Sequence, residues 1–164
     1  MGQRTGSSGA VRRAVEYDLV ELVRLQAPPS GDLADDWLDA LAVVLREQLT
    51  ADDVRVLVVD AAGEGLAACG IGTIEQRLPG PGLHDGRTGH VMGVVTDPAH
   101  QGRGHDRTIV RGLLAWFRDR EIARVELRTP AEDEPLYRAL GFTDHRDSAL
   151  CWRPSEDRAV IPSR

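Results

Sequence analysis

Lysine is absent from all 164 residues, as is asparagine, so arginine alone supplies the 20 formal positive charges. Both absences read as the coding bias of a GC-rich genome, but the first has chemical force. Without lysine there is no Gly-Lys-Ser/Thr signature, and a Walker A nucleotide loop is excluded. Positive charge is also in deficit: 20 basic against 26 acidic residues leave a formal charge of −6. A general nucleic-acid binder needs a basic face, whereas this balance suits a cationic or amine-bearing partner. Cys69 and Cys151 are the only cysteines. They lie far apart in apolar runs with no Cys-x-x-Cys and no histidine at ligand spacing, so no metal site is expected and both should be buried and reduced. No apolar run reaches membrane-spanning length, and residues 1–10, rich in Gly and Ser, lack the apolar centre of a signal peptide. A cytoplasmic protein with a frayed N-terminus and no membrane partner is expected.

What is present fits one domain over residues 11–154, with a C-terminal tail at 155–164. A hydrophobic content of 41% is enough for a sizeable core at this length. A first strand is expected at 11–15. Asp18 followed by Glu21 reads as a capping box opening a helix through Leu19, Leu22, Val23 and Leu25. Pro28, Pro29 and Gly31 end it. Trp37, Leu38, Leu41, Val44 and Leu45 recur at helical spacing over 32–49. β-Branched runs at 54–60 and 66–77 around a glycine turn predict a hairpin. Residues 78–89 read as an exposed loop, 90–96 as a strand, 104–121 as a helix and 124–128 as a strand. Pro135 and Gly141 bracket a short helix, and 142–153 is expected to supply one or two final strands. The class is α/β (α+β), a mixed central sheet flanked by helices in the order β-α-α-β-β-β-α-β-α-β.

The chemistry concentrates in 94–106, where a strand runs into a glycine loop and then a helix start. Glycines let backbone N–H groups approach an anion closely, and the helix offers unpaired amides and a positive dipole end. A dinucleotide fingerprint fails, because Arg107 stands where the third glycine of Gly102-x-Gly104 should be and the motif lies late in the chain. The stretch Gln101-Gly102-Arg103-Gly104-His105-Asp106 instead resembles the pyrophosphate loop Arg/Gln-x-x-Gly-x-Gly/Ala of the GCN5-related N-acetyltransferases (GNAT), departing at Asp106. The stretch Leu136-Tyr137-Arg138-Ala139-Leu140-Gly141-Phe142 is similar to that family's Leu-Tyr-x-x-x-Gly-Phe segment, with Pro130 and Asp133 departing from the fuller pattern. Two motifs in family order extend the resemblance over most of the chain.

The resemblance implies a GNAT fold and acetyl-CoA as co-substrate, with no metal. It implies direct attack by an amine of a small molecule or peptide. Val94, Val95 and Thr96 would pair with the pantetheine arm, and Gln101, Gly102, Arg103, Gly104, His105, Asp106 and Arg107 would hold the pyrophosphate. The Val95 N–H is then the oxyanion donor and Tyr137 the general acid, its phenol protonated at neutral pH. Glu75 and His90 are the candidate bases. A homodimer is the form common among proteins similar to this one.

Each assignment has a plainer counterpart. The loop can be a simple connecting turn, Tyr137 a core aromatic, Glu75 a solvated sheet position and His90 a satisfied strand histidine. Trp37 reads as core, and Asp35, Asp36 and Asp39 as a solvated helix face. Asp106 is open three ways: it weakens CoA binding, is offset by Arg103 and Arg107, or points away. The alternative to an enzyme is a non-catalytic acyl-CoA-binding sensor or partner-binding module of the same fold.

Overall fold

Val54–Asp60 (β2) and Leu66–Gln76 (β3) form the centre of the sheet, paired antiparallel from Val54↔Thr73 to Asp60↔Leu66. The turn closes where the Ala61 N–H donates to the Gly65 carbonyl at 3.0 Å, so the expected hairpin is present. The structure is a computed structural model and describes residues 9–27 and 36–154. Val11–Arg13 (β1) joins the outer edge of β2, and Arg87–Thr96 (β4) pairs antiparallel with β3. Val125–Leu127 (β5) completes the order β1-β2-β3-β4-β5 and is parallel to β4. A parallel neighbour requires a crossover connection, and His105–Asp119 (α3) provides it.

The two faces of the sheet are covered separately. Leu19–Gln26 (α1) and Asp36–Thr50 (α2) bury Leu22, Leu25, Leu45 and Leu49 against Val56, Val58, Cys69 and Ile71. On the other face α3 buries Ile109, Leu113, Trp116 and Phe117 against Leu57, Val59, Ala68 and Val91. Each fully buried Leu or Phe contributes about 2 kcal/mol. The strands carry glycine where α3 lies closest: a Cβ at Gly70 would overlap Ile109, and one at Gly89 would overlap the Phe117 ring. Glu134–Ala139 (α4) is the last helix. Among the described residues no helix is long and apolar enough to cross a membrane.

Several expectations need correction. The Asp18 side chain does not cap α1. It accepts from Arg12 at 2.8 Å through both oxygens and from the Val15 N–H at 2.8 Å, because a guanidinium is the stronger donor. β4 begins at Arg87, so the expected loop ends three residues sooner. The final strands over 142–153 do not form. That stretch contains neither Val nor Ile, and Asp144 and His145 instead bond Arg138 and Glu126 through their side chains. Cys69 is buried as expected, but Cys151 is exposed. Trp37 is 38% exposed rather than core. Residues 1–8, 28–35 and 155–164 lie outside the described residues, with the expected frayed start, first helix end, C-terminal tail and Asp35 among them.

Candidate active site

β4 outruns its neighbour. Its last pairing with β5 is Val91↔Leu127, yet it continues to Thr96, so among the described residues no strand pairs with 92–96 on that side. On the β3 side the register changes between Ile71↔Met92 and Cys69↔Val95, so Gly93 and Val94 together oppose Gly70 in a bulge. The Asp97 N–H donates to the Ala67 carbonyl at 2.8 Å. Antiparallel alternation then makes Cys69 and Val95 the next pair exchanging ladder bonds. The Val95 N–H is therefore occupied by β3. This makes the Val94 N–H, within the bulge, the alternative to the Val95 N–H as a candidate oxyanion donor.

The glycine loop follows directly. Gly102 and Gly104 have φ +77° and +76°, conformations that side chains resist, and a Cβ at either would meet nothing within 4 Å. Gly104 caps α3 without any side-chain hydrogen bond to the helix. The N–H groups of His105, Asp106 and Arg107 thus lack intrahelical partners and face the loop. Gln101, Arg103 and Arg107 are exposed, while His105 is buried. The Asp106 carboxylate accepts from the Thr96 hydroxyl at the end of β4. The amides suit an anion, and the Asp106 carboxylate stands on the same first turn of α3.

Tyr137 of α4 is buried and packs edge-on against Phe142, with ring centroids 5.8 Å apart. Burial pushes its phenol above the usual range, and the nearby Asp106 charge adds to this, so the hydroxyl keeps its proton. Glu75 and His90 are brought together, with His90 Nε2 2.8 Å from a Glu75 carboxylate oxygen. That bond, joined by Arg77, holds the Glu75 carboxyl below its usual range. Arg77 also reaches Glu126, which His145 contacts at 3.1 Å. Glu126 is opposite His90 in the parallel register. Sequence reasoning missed it because only strand pairing joins the two. Among the described residues no group of His, Cys, Asp or Glu is arranged to hold a metal.

Residues 17–142 match the Acetyltransferase (GNAT) family. The chain belongs to the GNAT acetyltransferase family. A rice protein, glucosamine 6-phosphate N-acetyltransferase 1, is 30% identical over 145 residues, covering 85% of this chain and 86% of the relative. A predicted acetyltransferase from Clostridium acetobutylicum, crystallised with acetyl-CoA, superposes with TM-score 0.74 at 18% identity, covering 87% of this chain and 94% of that one. Glucosamine-6-phosphate N-acetyltransferase from Arabidopsis thaliana superposes with TM-score 0.68 at 20% identity, covering 90% and 98%. In this GNAT domain a cavity of about 720 Å³ lies along the open edge of β5, lined by Leu127, Tyr137, Phe142 and His145. No β4 or glycine-loop residue lines it, so it is separate from the gap beside residues 92–96.

Proposed function

We propose that the chain transfers the acetyl group of acetyl-CoA directly to an amine. The observation carrying this reading is the unpaired stretch of β4 running into an uncapped helix N-terminus through two left-handed glycines. Peptide groups of 94–96 suit the amide-bearing pantetheine arm, and the amides of 105–107 suit its pyrophosphate. The amine nitrogen attacks the acetyl carbon, and the Val94 N–H donates to the developing oxyanion. A preorganised donor of this kind is worth about 3 kcal/mol. The carbon–sulfur bond then breaks, and the Tyr137 hydroxyl gives its proton to the leaving thiolate. His90, held by Glu75, takes the proton lost from the amine.

An amino sugar phosphate is the first acceptor class to test, because the rice relative carries glucosamine 6-phosphate in its name. The Thr96–Asp106 contact favours a second reading, an acyl-CoA-binding module without turnover, since it sets a carboxylate beside the phosphate amides. Thermal titration with acetyl-CoA followed by a thiol-release assay separates the two. Saturable stabilisation with CoA release from glucosamine 6-phosphate or another amine supports transfer. Stabilisation with no release from any amine supports the binding module, and no stabilisation at millimolar acetyl-CoA defeats both.

A further inference from the structure

The last residue of α1 makes a contact that the proposed chemistry leaves unexplained. Gln26 Nε2–H donates to the Gly93 carbonyl at 2.7 Å and lies 3.2 Å from Cys69 Sγ. Gly93 has φ +59° and is the first of the two bulged residues. The bulge interrupts the β3 ladder at this carbonyl and β5 has ended at Leu127, so among the described strands β3 offers it only the weak Cys69 thiol, at 3.8 Å. Gln26 supplies a stronger donor. A Cβ at Gly93 would fall 2.8 Å from Gln26 Nε2, so the side chain lies flat against the bulge. Beneath it, burial pushes the Cys69 thiol up to about 11, and the sulfur stays uncharged. In such a dry, neutral setting one hydrogen bond counts for more than in water.

The Gly93 carbonyl and the Val94 N–H are opposite ends of one planar trans peptide. Holding the oxygen toward α1 turns the hydrogen away from it, and a donor on the carbonyl also polarises the N–H beyond. We propose that Gln26 is a positioning residue for acyl transfer, aiming and strengthening the Val94 N–H through the peptide it grips. This rests on the acetyl-transfer reading. It also links the acyl site to α1 on the opposite side of the bulge.

Two variants, Gln26→Leu and Gln26→Met, remove the donor while keeping the bulk. With acetyl-CoA and glucosamine 6-phosphate as probes, kcat is expected to fall about tenfold to a hundredfold in each. KM for acetyl-CoA should stay within about threefold, the split that marks an interaction made in the transition state. Unchanged kcat in both variants, or loss of CoA affinity and melting temperature in step with kcat, overturns the proposal. The ratio of Kd for CoA to Kd for acetyl-CoA tests the same peptide with no acceptor present. The unaltered chain should prefer acetyl-CoA and Gln26→Leu should lose that preference. A preference absent at the start, or kept after substitution, overturns the assignment of Gln26, whereas absent thiol release in the unaltered chain counts against the transfer reading.

Discussion

The Asp106 carboxylate on the first turn of α3 accepts the Thr96 hydroxyl at the end of β4, tying together the two ends of the glycine loop. Three of the groups argued to meet the donor lie around that bond: Thr96 itself, the α3 amides, and Tyr137, whose phenol feels the Asp106 charge. The contact fixes the loop, and under the acetyl-transfer proposal it sets a carboxylate near the amides proposed to hold the diphosphate.

Replacing that charge is expected to tighten donor binding. Asp106→Ala should lower Kd for CoA by about three- to tenfold at low ionic strength, with the gain shrinking as salt screens it. Calorimetric titration at two salt concentrations checks this. Pantetheine, which has no phosphates, should bind both forms alike.

Tyr137→Phe removes one oxygen and leaves the ring against Phe142. A general acid typically contributes about a hundredfold or more to rate, so kcat should fall by that order with KM for acetyl-CoA nearly unchanged. Steady-state kinetics with an accepted amine read it directly. Equal activity would assign the hydroxyl a packing role only.

His90→Gln should lower kcat/KM about tenfold or more near neutral pH. The deficit should shrink at alkaline pH, where free amine forms in solution before binding. Glu75→Gln should give a smaller version of the same profile, since it loosens the imidazole without removing it. A pH-independent loss in both would indicate a structural pair.

The Arg12 pair holds the Asp18 carboxyl below its usual range, with the Val15 N–H helping. The folded group therefore titrates below the unfolded one, and its stabilisation is complete above about pH 4, the unfolded aspartate value. It fades as pH falls through the lower folded value. Asp18→Asn should cost about 1–2 kcal/mol at pH 7, discounted because Arg12 is 37% exposed. Melting temperature should fall by about 3–8 °C, and the two proteins should converge in strong acid.

Local sequence carried the central hairpin, the glycine loop and α4, because each has turn residues or periodicity of its own. Val54–Asp60 starts and stops where its β-branched run does. The oxyanion amide shows what is not local: whether the Val94 or the Val95 N–H is free depends on one extra residue in the pairing with β3, and hydrophobic pattern does not count ladder bonds. Gln26 was illegible for the same reason, since its partner is 67 residues away. The strands expected at 142–153 do not form, and the Asp144 and His145 side chains instead tie that segment to Arg138 and Glu126.

Cys69 and Cys151, the chain's two thiols, differ completely in access: one is sealed under the Gly93 bulge, the other open to solvent. A thiol reagent added to the native protein should therefore modify one site at once and the second only when the β3–β4 bulge breathes. The slow phase becomes a clock for how often the peptide carrying the Val94 N–H comes loose, readable in the resting protein before any substrate is known.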